Sequence, residues 1–310
     1  MTIHTGINTA CLATITVTYN PEVEVLKRQL KALPAHSTKI VVDNASRPEI
    51  QQQLKKELLQ FSSLHLIVND VNLGLGAAIN SGAKIASTLP APATYVLLLD
   101  QDSEPLTGSV EILLDTFEQL RLQGHSVGCV GPSLVDPITL LSHGFHQMTR
   151  LCWKRCYPST EASAPVNCAN LNGSGTLLPL ELFQRLGGLD ETLFIDHIDT
   201  EWSFRVAANG YSLWGIPKAV FKHCMGQSST RFWLFGWRVW PVRAPLRHYF
   251  LFRNAAMLMK RSYIPAVWKI WAIAKLALTA SIMALTGPQR RQQISRMWQG
   301  LYQGLKINAD

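Results

Sequence analysis

Three groups of side chains in this 310-residue chain have the type and spacing to do chemistry. The first is Asp100-Gln101-Asp102, where the apolar run Tyr95-Val96-Leu97-Leu98-Leu99 stops on two carboxylates. On an extended backbone residues two apart face the same way, so these carboxylates repel unless a cation lies between them. Hard oxygen donors suit Mg²⁺ or Mn²⁺ holding a diphosphate, although an ordinary acidic loop would read the same. The second group is Asp196-His-Ile-Asp199-Thr-Glu201-Trp202-Ser-Phe-Arg205, with three acids in six residues at the start of a helical pattern. Acids there sit near the positive end of the helix dipole, and one of them could take a proton from a hydroxyl. Asp199 could equally cap the helix. The third is His223, followed by Gly226-Gln-Ser-Ser, which could ligate a metal or phosphate or be a satisfied structural histidine.

An α/β frame must position these groups. Short apolar runs bounded by polar residues read as strands buried on both faces, and open α/β sheets bind ligands outside the carboxyl ends of their strands. Strands are expected at Leu12–Tyr19, Lys39–Asp43, Leu64–Val68, Tyr95–Leu99 and Ser126–Pro132. Helices are expected after Pro21, over Ile50–Leu59 and over Gly108–Leu122. Asn69-Asp-Val-Asn72-Leu-Gly74-Leu-Gly76-Ala-Ala-Ile-Asn80-Ser-Gly82 lets backbone approach a phosphate, or makes a tight turn with Gly82 against the sheet; it is neither Gly-x-Gly-x-x-Gly nor a Walker loop. Residues 136–165 read as a long loop, Leu180–Leu186 as a helix ended by Gly187-Gly188, and Tyr211–Pro217 with Ala219–His223 as a closing strand pair.

The net charge of +8 is unevenly placed. From Arg231 onward there are thirteen Lys/Arg and one acid, so the first 230 residues carry −4. That tail also holds six of the nine tryptophans. Its apolar stretch Ile264–Leu285 is interrupted by Lys269 and Lys275, which favours a helix lying in the membrane interface over a spanning one. No nucleic-acid recognition motif accompanies it. The six cysteines lack a disulfide-framework spacing, which suits a reducing compartment. Residues 1–10 lack the pattern of a signal peptide.

Taken in order, Val17-Thr18-Tyr19-Asn20-Pro21, Val42-Asp43-Asn44, Asn72-Leu-Gly74, Asp100-Gln-Asp102, Asn172-Gly-Ser-Gly175 and Asp199–Arg205 resemble the family 2 inverting glycosyltransferases. Arg247-His-Tyr249-Phe-Leu-Phe-Arg253-Asn254 narrows the resemblance to the bacterial rhamnosyltransferase branch. The resemblance implies a GT-A fold, Rossmann-like with a mostly parallel sheet flanked by helices, over residues 1–230, and the composition of the tail suggests a helical, membrane-associating extension over 231–310. It implies that Thr18, Tyr19 and Asp43 hold the nucleobase and that Asn72, Gly74 and Asn80 line the nucleotide or diphosphate. Asp100 would touch ribose and metal, Asp102 would ligate the metal directly and His223 would be an extra ligand. Asp199 would be the catalytic base, with Ser174, Glu201, Trp202 and Arg205 around the sugar and acceptor. Ile198 stands where the family often has Glu, so Asp196 or Glu201 could share the role of base. The implied donor is dTDP-L-rhamnose, with a UDP- or GDP-sugar as the alternative within the class and a non-catalytic membrane-bound scaffold outside it. The implied acceptor is a lipid-linked saccharide of O-antigen or related polysaccharide assembly. The implied location is peripheral, on the cytoplasmic face of the bacterial inner membrane, and a homo-oligomer remains open.

Overall fold

The computed structural model describes residues 9–160, 164–224, 229–233, 237–241 and 243–307. The first half alternates as its apolar periodicity requires. In order it runs β1 (Leu12–Thr18), α1 (Val23–Ala32), β2 (Thr38–Asp43), α2 (Pro48–Leu58), β3 (Leu64–Val68), α3 (Leu75–Thr88) and β4 (Tyr95–Asp100). Next come β5 (Ser103–Pro105), α4 (Ser109–Leu122), β6 (Val127–Val135), β7 (Phe145–Met148), β8 (Trp153–Cys156), β9 (Val166–Cys168), β10 (Leu177–Pro179) and α5 (Leu180–Arg185). The chain then forms α6 (Ile198–Ala208), β11 (Ser212–His223), the hairpin β12 (Ser229–Trp233) and β13 (Trp237–Pro241), and three helices: α7 (Pro245–Lys260), α8 (Ala266–Thr286) and α9 (Arg290–Lys306).

The main sheet has nine strands in the order β3-β2-β1-β4-β10-β6-β11-β5, with β9 beside β11. β3, β2, β1 and β4 are mutually parallel, as are β6 and β11, while β10 enters antiparallel between β4 and β6. The carboxyl ends of β1, β2, β4 and β11 therefore meet the amino ends of the antiparallel β10 and β5 along one edge. β1 and β4 are buried almost throughout, which is why they read as continuous apolar runs. Gly82 lets α3 lie on this sheet, since a Cβ there would come within 2.6 Å of Ile15.

Three expectations are corrected. Asp100 and Asp102 do not lie on one extended segment: β4 ends at Asp100, residues 101–102 turn, and β5 begins at Ser103. The expected closing pair is one long strand, β11, whose ladder with β6 skips between Ile216 and Val220. Pro217 has no N–H for the ladder, so the strand bulges there instead of ending. Within the expected long loop, β7 and β8 form a hairpin paired from Phe145↔Cys156 to Met148↔Trp153. The Gly226-Gln-Ser-Ser stretch begins within residues 225–228, which lie outside the described residues, as do residues 1–8.

The tail helices are built into the molecule. Met257, Leu258, Ile264, Trp268 and Ala272 join the same core as Ile15, Val42, Trp202 and Phe204. α9 lies along α7 at close range, because Gly300 and Gly304 face the carbonyls of Tyr249 and Arg253 where no Cβ would fit.

Candidate active site

Asp100, Asp102 and His223 each offer a ligand atom within 4.8 Å of the others. Distant elements bring them together. Gln29 of α1, fully buried, donates to the carbonyls of Asp100 (2.7 Å) and Ser103 (2.5 Å) and accepts from Thr16 (2.8 Å), so it clamps both ends of the acidic turn. Gln101 accepts from the Tyr19 backbone N–H at 2.8 Å. His223 arrives at the end of β11, with Nδ1 3.4 Å from Asp102 Oδ1 and 3.0 Å from Ser103 Oγ. Burial lowers the affinity of His223 for a proton, but the Asp102 hydrogen bond and the charges of Asp100 and Asp102 reverse this, leaving its pKa raised. Burial pushes the Asp100 carboxyl up, His223 works against it, and Asp102 adds to it. Two carboxylates and an imidazole converging this closely form a hard donor set that fits Mg²⁺ or Mn²⁺.

Ser103 ties this cluster to the second acidic group. Its buried hydroxyl also meets Ser174 Oγ. Ser174 belongs to Asn172-Gly-Ser-Gly175, a loop anchored by Gly175 N–H on Leu98 O at 2.7 Å. Gly173 of that loop runs beside Asp199, since a Cβ there would stand 3.9 Å from Asp199 Cβ. Asp199 lies in the first turn of α6, where its Oδ1 accepts from Thr200 N–H at 2.8 Å. Burial pushes its pKa up to about 6; that hydrogen bond opposes the shift, and the charges of Asp100 and Asp196 add to it. Asp199 thus lies within range of the charge of Asp100.

The neighbouring acids are committed elsewhere. Asp196 accepts from Arg243 (2.5 Å) and from Arg247 in a fork (2.8 and 2.9 Å). Burial raises its pKa, yet these guanidiniums outweigh burial and hold the carboxyl below its ordinary value. Glu201, 1% exposed, takes a two-pronged pair from Arg205 at 2.8 Å and a bond from Tyr263 at 2.5 Å. Of the three acids, Asp199 alone has no ion pair among the described residues.

The remaining expected residues take varied places. Asp43 is fully buried, accepting from Thr18 Oγ1 (2.9 Å), Ser46 N–H (3.0 Å), Ser46 Oγ (2.5 Å) and Gln51 (3.4 Å), while Tyr19 beside it is 52% exposed. Asn72 Oδ1 accepts from Asn44 and from Gly74 N–H, both at 3.0 Å, which shapes the turn into α3. Asn80 holds Leu189 through both N–H and C=O at 2.9 Å and also donates to Glu191. Trp202 is buried against Phe183, and Arg205 lies over its ring while donating to Leu186 and Gly188 carbonyls.

Residue patterns gave no signal for Gln29 or Ser103, while Asn254 stood in the Arg247–Asn254 motif with no role attached to it. Asn254 of α7 donates to the carbonyls of Leu193 (2.7 Å), Ile195 (2.7 Å) and Asp196 (2.9 Å). Those carbonyls belong to a stretch where Phe194, Asp196 and His197 all have positive φ, between 61° and 65°. Non-glycine residues rarely adopt this conformation unless the surroundings enforce it, and here it launches the helix that carries Asp199.

The profile of Glycosyl transferase family 2 matches residues 14–169. The chain is 28% identical over 257 residues to "dTDP-rhamnosyl transferase RfbF" of Shigella flexneri, spanning 83% of this chain and 82% of that one. It is 24% identical over 253 residues to the N-acetylglucosaminyl-diphospho-decaprenol L-rhamnosyltransferase of Mycobacterium tuberculosis, spanning 72% and 79%. The crystal structure of GalNAc-T7 with UDP, GalNAc and Mn²⁺ aligns with a TM-score of 0.57 at 16% identity, over 89% of this chain and 58% of that one. S. aureus TarS 1–349 aligns at 0.53 and 14% identity, over 95% and 81%. At these identities the solved structures speak for the fold alone. With its profile match reaching over half of the chain and its sheet edge carrying the paired acids, this protein belongs to Glycosyl transferase family 2, as a GT-A-fold glycosyltransferase.

Proposed function

We propose that this chain transfers L-rhamnose from dTDP-L-rhamnose to a hydroxyl of a lipid-linked saccharide, in O-antigen or related surface-polysaccharide assembly. The site of action in this reading is the cytoplasmic face of the bacterial inner membrane. The observation that carries it is Asp199, without an ion pair among the described residues and raised to a pKa of about 6, within range of the charge of Asp100, which converges with Asp102 and His223. The rhamnosyltransferase relatives support the choice of sugar and of a lipid-linked acceptor.

In this reading Asp102, Asp100 and His223 would hold Mg²⁺ or Mn²⁺, which would supply positive charge to the departing diphosphate. Asp199 accepts the proton of the acceptor hydroxyl as its oxygen bonds to the anomeric carbon from the face opposite the leaving group. The bond from that carbon to the diphosphate oxygen breaks with its electron pair, so dTDP leaves and configuration inverts. Thr18 and Asp43 form a buried floor for the nucleobase, with Tyr19 free to cover it, and Asn72, Gly74 and Asn80 shape the turn and helix beside the nucleotide. Ser174 holds the loop next to the base. Glu201, Trp202 and Arg205, paired with one another and largely buried, brace the helix that carries Asp199.

The test is transfer to a diphosphate-linked lipid acceptor from dTDP-L-rhamnose, UDP-sugars and GDP-sugars, with Mg²⁺, Mn²⁺ or EDTA. The expected result is a product heavier by one deoxyhexose, formed from the dTDP donor and lost in EDTA. Preference for a UDP- or GDP-sugar would overturn the donor, and no turnover with any donor would favour the scaffold alternative.

A further inference from the structure

We propose that Lys275 of α8 and Arg155 of β8 bind the diphosphate link of the acceptor, on the Asp199 side of the candidate active site. α8 packs into the core along Trp268, Ala272, Leu276 and Thr279. Lys275 falls on that same inward stripe, one turn after Trp271, and yet it is exposed. A lysine that points the way the core-facing side chains point and still meets solvent lines an opening between the helix and the elements it packs on.

The β7–β8 hairpin borders that opening. His146 and Arg155 pair across the hairpin, and Arg155 Nε donates to His146 Nε2 at 3.0 Å. The His146 ring stacks on Trp153 at 5.1 Å, Trp153 meets Trp271 at 5.9 Å, and Lys275 Nζ lies 4.6 Å over the Trp271 ring. A row of three rings thus carries a cation at either end. Neither cation has an acid partner among the described residues. Arg243 and Arg247 share the single carboxylate of Asp196, which leaves further positive charge uncompensated. Enclosure by protein, then the charges of Arg243 and Arg155, push the Lys275 pKa down to about 8, while Asp196 and Asp199 pull it back. Lys275 therefore keeps its charge at neutral pH among groups that are mostly positive.

Position selects the ligand. Lys275 acts on Asp199, His197 and His146. The charges acting on Asp100 and His223 are instead those of one another, Asp102, Asp136 and Arg247. Inversion puts the leaving diphosphate and the attacking hydroxyl on opposite faces of the anomeric carbon, so an anion held on the side of the base belongs to the acceptor. Two uncompensated cations suit a group with more than one negative charge, which a diphosphate has and a single sugar carboxylate lacks. Lysine supplies a point charge to such a group and arginine a fork of donors. The inference deepens the proposed reading and rests on it for the base and for the lipid-linked acceptor.

The experiment has two arms on the full chain. In metal-free buffer, calorimetry with geranyl diphosphate should show binding that Lys275→Gln/Arg155→Gln weakens at least about tenfold and Lys275→Arg preserves, with dTDP affinity the same in all three proteins. In transfer assays, the wild type should prefer a diphosphate-linked acceptor to the same saccharide on an uncharged alkyl chain, and the double variant should lose that preference through a raised acceptor KM. Probe binding as tight in the double variant as in the wild type, equal losses with both acceptors, or a loss that falls on dTDP affinity would overturn the proposal. Probe binding requires neither donor nor turnover, so failure of the donor reading leaves this result standing, and the two are judged separately.

Discussion

Ser103 and His223, 120 positions apart in sequence, lie in contact through Ser103 Oγ and His223 Nδ1 at 3.0 Å. A histidine that uses one ring nitrogen on a second partner keeps its tautomer and orientation fixed, leaving the other nitrogen for a metal. Ser103→Ala should therefore weaken Mn²⁺ binding by about tenfold or more, measured by titration of the protein without nucleotide. Wild-type affinity in this variant would show that Ser103 serves packing alone.

Asp102→Ala should remove metal-dependent donor binding while leaving metal-free nucleotide binding in place. Calorimetry with dTDP, run with and without Mn²⁺, separates the two. Unchanged Mn²⁺ affinity would exclude Asp102 as a ligand.

Asp199→Asn should lower kcat by roughly 10²–10⁴, the usual contribution of a general base, with dTDP and metal affinities retained. In the wild type kcat should rise with pH through about 6, as the carboxyl ionises. Parallel loss of binding and turnover in the variant would instead make Asp199 a structural residue.

Stability should respond to the same group in the opposite sense. Burial raises the folded carboxyl's pKa to about 6 against 3.8 for a free aspartate, so the native state favours the protonated form. That advantage is complete below pH 3.8 and disappears as pH rises through 6. Asp199→Asn should thus stabilise the protein by about 1–2 kcal/mol at pH 7.5, after allowance for solvent screening, and by almost nothing near pH 4. Thermal melts at the two pH values test this, and equal shifts at both would contradict it.

Asn254→Ala should cost about 2–3 kcal/mol by removing its bonds to the Leu193, Ile195 and Asp196 carbonyls. It should also reduce kcat more than it raises KM for the donor, because the stretch it releases aims Asp199. A melt combined with steady-state kinetics separates these effects. A destabilised protein with full kcat would show that the left-handed stretch holds itself.

The reach of the sequence follows the range of the interactions. β4 and its terminal Asp100 were legible because burial on both faces leaves a continuous apolar run, and Asp199 because its acids fall in one helical turn. Pro217 looked like a strand end, since its missing N–H is visible in sequence while the continuing ladder on either side is not. The β7–β8 hairpin has only four-residue strands with half-exposed faces, which leave almost no alternation to read. Gln29 and Ser103 act across 71 to 120 positions, and nothing local marks a polar residue whose partner is that far away; Asn254 was marked by its motif, but its partners about 60 positions back were not. Asp196 and Glu201 looked as free as Asp199, because their guanidinium partners lie on other elements or share the helix without any signature of burial.

The grip of Asn254 on the turn before α6 bears on what can be cut from this protein. A chain ending at residue 230 would keep every carboxylate and the histidine of the acidic cluster, and would still be an unfinished transferase rather than a smaller one. The last quarter works as the keystone of the reaction centre, because α7 holds through Asn254 the turn from which the proton acceptor's helix starts.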